Sequence, residues 1–466
     1  MSDDAKATAT AKEPGRPSAM RLVNPTVRDY MEALSLQRWY GGYQKIELAE
    51  HIFNLGIGEV ANIPLPEDMY ALYSRFVQSD TLAPLATRYT GTMGERETNQ
   101  LVAAHLNAWL DAERFDENRV VSMDGGQNAI EVAIRAFTAP LGSQSSRKQY
   151  VLLATPAYPY YSVIVAAHAG LMSFLAYTAE EFTRGVEQYC NPAVSVILIN
   201  VPHNPMGYAF TTEQVARINR VAEVYDCAVL IDSVYANYPE TGEVGRALAG
   251  FDPGRTVYVD SFSKKYGLPG LRVGFAVSAE EELTYALRFI KTSESLSPSN
   301  GKLAFAGYLL KHHPEVPELI ASEIRERRQR FLTRFDPSKV RGVASMGEPH
   351  NPFYLTVDVS GICAKAGISD MEVQQHLLDA FQVRVFPGSW THPSRALRAG
   401  MFTGVGRHNP HGPAPYLPPQ VPAGEQIVLA PDHLERRTPS LRLSFGAETR
   451  AEAAAEALMA GLQSLA

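Results

Sequence analysis

Ser261-Phe-Ser-Lys-Lys-Tyr-Gly-Leu-Pro-Gly-Leu-Arg-Val-Gly274 sets two hydroxyls, two lysines, a Gly/Pro turn and an arginine within fourteen residues. It follows Thr256-Val-Tyr-Val-Asp260, a short β-branched run that reads as a buried strand. A lysine at a strand end, beside hydroxyls and an arginine, suits an imine to a phosphate-bearing aldehyde. Such an imine needs a neutral amine in a sheltered place. Arg272 and the hydroxyls of Ser261 and Ser263 can hold a dianionic phosphate.

Upstream, Tyr150-Val-Leu-Leu-Ala154, Ser195-Val-Ile-Leu-Ile-Asn200 and Cys227-Ala-Val-Leu-Ile-Asp232 have the same character. Between the last two, Thr211-Thr-Glu-Gln214 reads as a capping box opening a helix with an apolar face of Val215, Ile218, Ala222 and Tyr225. Strands alternating with helices predict an α/β fold with a mostly parallel sheet covered on both faces. Ligands of such sheets bind beyond the carboxyl ends of the strands. From about residue 315 the pattern changes: a charged helix over 316–335, a strand over 352–358, a helix near 370–380 and an alanine-rich helix after Thr449. These predict a smaller α+β domain. Residues 1–20 read as a disordered tail, 21–75 as an arm and part of the small domain, 76–314 as the large domain and 315–466 as the small one. A Gly/Pro/His-rich insertion, 391–437, is assigned to the small domain; a loop that long is functional or disordered.

The 466-residue composition excludes several classes. A formal charge of −7 leaves no basic footprint for nucleic acid. No run approaches the ~18 apolar residues of a membrane helix, and the N-terminus lacks the apolar core of a signal peptide. Cys190, Cys227 and Cys363 are scattered and odd in number, which fits a reducing, cytoplasmic location rather than a disulfide framework. His392, His408 and His411 have no companion cysteines or carboxylates, so no metal site is expected. His312-His313 reads as a helix terminus, and the Glu/Arg-rich stretch 323–334, with Arg327, as a solvated helix face.

The Ser261–Gly274 block resembles the class I/II aminotransferases, fold-type I enzymes dependent on pyridoxal 5'-phosphate (PLP). In that family a lysine in S-x-S-K is followed eight places later by an arginine, a spacing that selects Lys264 over Lys265. The resemblance runs from about residue 54 to 446 and implies a seven-stranded type of sheet. It implies that Lys264 forms the Schiff base, Asp232 pairs with the protonated ring nitrogen, and Tyr235 and Asn204 hold the ring oxygen. Asp232-Ser-Val-Tyr235 is similar to the family's D-x-x-Y, and Pro202-His-Asn-Pro-Met-Gly207 to P-x-N-P-T-G, with Met206 departing from the pattern. The turn Gly125-Gly126-Gln127 before an apolar helix resembles the phosphate-binding turn, where helix N–H groups meet the anion. Tyr158 of Pro156-Ala-Tyr-Pro-Tyr-Tyr161 would stack on the ring. Tyr89 would reach the phosphate of a neighbouring subunit, which implies a homodimer with shared active sites. Arg442 of Leu441-Arg-Leu-Ser-Phe445 would clamp the α-carboxylate of an amino acid substrate, with Gly58 nearby.

These residues imply chemistry at an amino acid's α-carbon, with transamination as the first reading. The Ser-Lys block and the Asn-Pro-Met-Gly variant are also similar to 1-aminocyclopropane-1-carboxylate synthase. γ-Elimination, annulation or cyclisation, for example on S-adenosylmethionine, is therefore the alternative. The 53-residue separation of Ser389 and Arg442 is long for the family and suggests a lid for a bulky or second substrate. A transcription regulator with an aminotransferase-like sensor is rejected, because only about fifty residues precede the fold.

Overall fold

The computed structural model describes residues 51–466 apart from 81–83, 86, 90, 145, 147, 240–241, 394–398, 402–426, 432 and 434–435. The expected tail, the start of the arm, His408 and His411 lie outside the described residues. In chain order come β1 (Phe53–Asn54), β2 (Val120–Met123), β3 (Tyr150–Thr155), β4 (Gly170–Leu175), β5 (Val194–Asn200), β6 (Ala228–Asp232), β7 (Thr256–Ser261) and β8 (Gly274–Val277). After helices at Glu281–Ser295, Asn300–His312 and Val316–Arg334 follow β9 (Ala344–Met346), β10 (Tyr354–Asp358), β11 (Val383–Arg384) and β12 (Phe386–Pro387). Then come β13 (Ala399–Met401), β14 (Ile427–Leu429), β15 (Ser440–Ser444) and a last helix, Ala451–Leu465.

The large sheet has the order β13-β14-β4-β3-β5-β6-β7-β8-β2. Only β8 runs against its neighbours; the other pairs are parallel. Every residue of β3, β5 and β7 is buried, because apolar clusters cover both faces of the sheet. This explains why those strands are continuous rather than alternating apolar runs. The helix after β5 starts with the expected capping box of Thr211 and Gln214 and buries Val215, Ile218 and Ala222.

The sheet is mostly parallel as expected, but among the described residues it has nine strands rather than seven. The two extra strands come from the Gly/Pro/His-rich stretch that the sequence assigns to the small domain. β14 pairs in parallel with β4 (Ile427 opposite Leu171), and β13 pairs with β14. They cover β4, which would otherwise expose an unpaired edge. The surrounding glycines and prolines masked this three-residue apolar run.

The second sheet, β12-β15-β10-β9, is antiparallel, and β1 pairs in parallel with β11 close by. The helix Met69–Val77, which crosses the expected end of the arm, packs on the large-domain helix Asn300–His312 through Tyr73 and Phe76 against Phe305. The helix Val316–Arg334 is not solvated all along its charged face. Arg327 is fully buried, bonding Glu323 at 2.7 Å and donating to the carbonyls of Ala61, Asn62 and Gly446 at 2.6–3.0 Å. Charge pattern alone could not show this, because all its partners but Glu323 are backbone carbonyls more than a hundred residues away.

Candidate active site

A cavity of about 440 Å³ lies where the carboxyl ends of the central strands meet the second sheet. That volume lies within the ~300–1,000 Å³ usual for small-molecule sites. Asn200, Asp232 and Ser261 end β5, β6 and β7 and all line it. Position relative to the sheet, rather than sequence proximity, therefore assembles the polar groups.

The two adjacent lysines separate cleanly. Lys264 projects into the cavity, where its Nζ donates to Gly58 O. Burial first, with Arg442 and Arg272 nearby, pushes its pKa down to about 8, against the opposing pull of Glu59 and Asp232. Lys265 turns into the protein, where its Nζ pairs with Asp260 and lies 3.1 Å from His105 Nε2. Only Lys264 is placed to meet a ligand as a free amine.

At one end of the cavity Ser261 caps the short helix Phe262–Lys265, and its hydroxyl lies 2.9 Å from that of Ser263. Arg272 adopts a left-handed backbone, φ 56°, uncommon for a residue with a Cβ, and its Nη2 donates to Asp124 O at 3.3 Å. Gly125 caps the helix Gly126–Phe137 at φ 92°, and a Cβ there would stand 2.6 Å from Arg272 Nη2. Gly125 offers no capping side chain, which leaves the first-turn N–H groups for an anion. Gly126 and Gln127 line the cavity at this corner. Lys291, buried in the helix Glu281–Ser295, braces the turn through Asp124 at 2.6 Å and Asn128 at 3.2 Å.

In the middle, Asp232 is buried, and burial lifts its pKa to about 6 although Tyr161 Oη donates to its Oδ2 and lowers it. Tyr158 and Asn204 line the same space. Tyr235 Oη lies 2.7 Å from Tyr354 Oη. At the far end, Arg442 from β15 is held at Gly56 O (2.8 Å) and Asn204 Oδ1 (3.2 Å) between the rings of Tyr354 and Phe386. Its buried Nε has no hydrogen-bond partner among the described residues. Gly58 packs under Tyr354, whose hydroxyl would be 2.5 Å from a Cβ there.

The cavity thus collects twelve of the expected residues on its lining, with Gly125 directly beside it, while Tyr89 is 83% exposed and lines none of it. Tyr161, Tyr354, Phe386 and Glu59 also line it and were not singled out from the sequence. Tyr161 lay in plain view, three residues after Tyr158. Tyr354 and Phe386 carry no local signal, since a strand tyrosine and a strand phenylalanine look like core.

A buried amine facing a buried carboxylate, an anion-ready helix end and a guanidinium with a spare N–H fit PLP and an α-amino acid together. The family profile "Aminotransferase class I and II" matches residues 50–407. The chain is 26% identical over 351 residues to the "Putative aminotransferase YugH" of Bacillus subtilis, covering 74% of this chain and 85% of that one. It is also 26% identical over 351 residues to an aspartate aminotransferase of Thermotoga maritima, with the same coverage. The crystal structure of a Thermotoga maritima aspartate aminotransferase superposes with TM-score 0.71 at 20% identity, covering 94% of this chain and 98% of that one. At that identity the likeness speaks for the fold. The chain belongs to the class I and II aminotransferase family and is a PLP-dependent transferase of fold type I. Nothing in these relatives favours the elimination alternative. Among the described residues, no helix is long and apolar enough to cross a membrane.

Proposed function

We propose that this enzyme moves an amino group from an α-amino acid, with Lys264 as both the tether of the cofactor aldehyde and the base at Cα. The observation that carries this reading is the single cavity lined by Lys264, with its depressed pKa, by Asp232 and by Arg442, whose Nε is left unpaired among the described residues. PLP supplies an electron sink for the α-carbon. Asp232 would hold a proton on the ring nitrogen, and the positive nitrogen would return its carboxylate to the ionised form that burial opposes. Ser261, Ser263, Arg272, Gly125, Gly126 and Gln127 would bind the phosphate. Asn204 and Tyr235 would orient the ring oxygen, and Tyr158 would cover the ring. Arg442 would fix the α-carboxylate while the Lys264 amine, freed by the substrate, moves the Cα proton.

We also read the enzyme as a homodimer of the cytoplasm. Tyr89, at 83% exposure, and the exposed aromatics Tyr70, Tyr285 and Phe289 support a partner surface. The three described cysteines are free and buried, which supports a reducing compartment. The test is a screen of amino acids against PLP-loaded protein. Release of a 2-oxo acid, with simultaneous loss of the bound cofactor's visible absorbance, is the expected result. Methylthioadenosine release from S-adenosylmethionine without that change would overturn transamination. Sedimentation that finds only monomer in active enzyme would overturn the dimer.

A further inference from the structure

The two ends of the long insertion grip the loop that carries Tyr158. β3 ends at Thr155 and the next helix, Pro159–His168, starts four residues later, so Pro156, Ala157 and Tyr158 hang between sheet and helix. Pro156 has no N–H to anchor the segment. The Ala157 N–H donates to Thr391 O at 2.9 Å, at the insertion's entry. At its exit, the imidazole of His433, 1% exposed, shares a 2.7 Å hydrogen bond between Nε2 and Thr155 Oγ1. On the neighbouring strand β4, Ala430 N–H donates to Ser173 O at 2.9 Å. Arg437 Nη2 reaches Ser389 O at 2.6 Å and so ties the exit to the entry. The loop is therefore braced from outside on both sides of the proline. Its tyrosine in turn sets its ring edge-on to Tyr161, centroids 5.3 Å apart, and Tyr161 donates to Asp232.

We propose that Thr391 and His433 are positioning residues. Through Ala157 and Thr155 they fix the height and tilt of Tyr158, so that the insertion forms part of the cofactor's seat. The inference rests on reading Tyr158 as the ring-stacking residue. It gives the insertion a role that does not depend on any movement of its central part.

The test compares the full-length holoenzyme with Thr155→Val, His433→Ala, His433→Gln and the Thr155→Val/His433→Ala double variant. Two quantities are read: the PLP dissociation constant by titration, and the induced circular dichroism of the bound cofactor, which follows ring orientation. Thr155→Val keeps the shape and deletes the hydroxyl together with its contacts to His433, Ser173 and Phe174. His433→Ala is expected to weaken PLP binding about five- to tenfold, the worth of one buried hydrogen bond, Thr155→Val at least as much, and both to alter the dichroic band. The double variant should be no weaker than Thr155→Val alone, and His433→Gln should recover most of the loss. A role in stability alone would lower the melting temperature and leave the band unchanged. Unchanged affinity and dichroism in Thr155→Val overturn the proposal, even if His433→Ala does not fold. Failure of the unsubstituted protein to bind PLP would instead overturn the cofactor reading itself.

Discussion

The two walls of the cavity are built on different principles. The large-domain wall is made by register: Asp232 and Ser261 are the last residues of adjacent parallel strands, and Lys264 follows within one turn. The opposite wall combines the antiparallel sheet that carries Arg442, Tyr354 and Phe386 with side chains that hold distant backbone. Arg442 fixes Gly56, Arg327 fixes Ala61, Asn62 and Gly446, and Asn54 N–H is tied to Glu448 at 2.7 Å. Sheet register resists displacement because shifting one strand breaks a whole ladder of bonds. In the opposite wall the segment 56–62 depends mainly on a few guanidinium contacts and is the softer part. That difference teaches where substrate selection can be adjusted without harming the cofactor seat.

The largest effect should come from the rigid wall. Lys264→Ala is expected to lower kcat at least ~10³-fold, since it removes tether and base together, and to abolish the imine absorbance. Its neighbour tests the distinction: Lys265→Met should keep that absorbance while lowering stability to denaturant, because Asp260 loses its buried partner. Equal loss of absorbance in both would break the contrast between the two lysines. Next, Arg327→Met should cost about 3–5 kcal/mol in urea unfolding, the usual result of breaking a buried charge pair. If that cost is under about 1 kcal/mol, Arg327 does not hold the soft wall. Arg442→Met should lower kcat/KM about a hundredfold, as loss of a buried charge pair to substrate does, with PLP affinity largely kept. A loss of PLP affinity of the same size would mean that the two walls are not separable.

The smallest effect sharpens the chemistry of the ring partner. Tyr161→Phe should lower kcat about tenfold, near the ~1.5–3 kcal/mol of a hydrogen bond to a charged group. Because Tyr161 lowers the Asp232 pKa from its burial-raised level, its loss raises that pKa further. The acid limb of the pH–rate profile should therefore move to higher pH. A shift to lower pH would contradict the assigned hydrogen bond. Apo-protein should also capture PLP faster as pH rises toward about 8, where the Lys264 amine becomes neutral, and then level off.

The wall on the large sheet was legible in the sequence because Asp232 and Ser261 each terminate an apolar run, and Lys264 and Arg272 follow Ser261 within one short block. The resemblance then gave these residues their roles. Gly125 could be placed as a turn before a helix, and the structure adds the reason: Arg272 occupies the space of its missing Cβ. On the soft wall, Arg442 was legible only through a resemblance. Tyr354 and Phe386, which sandwich it, gave no signal. The insertion was the hardest to read. Composition marked it as exceptional, yet its apolar run at Ile427-Val-Leu429 extends the large sheet, and its histidine reaches Thr155.

By itself the sequence determined the alternation of buried strands and helices, and with it the sheet and the strand ends where polar groups gather. Those features follow from local hydrophobic patterns and turn residues, which act within a few positions of one another. Only the tertiary structure decided that Arg327 is buried rather than solvated, whereas its placing of Lys264 in the cavity and Lys265 in the interior agrees with the spacing of the resemblance. It alone decided that a proline-rich insertion belongs to the large sheet. The burial of Arg327 and the place of the insertion depend on partners that are far away in the chain, for Arg327 mostly plain backbone carbonyls. Their identity as partners is created by folding and written in no single segment.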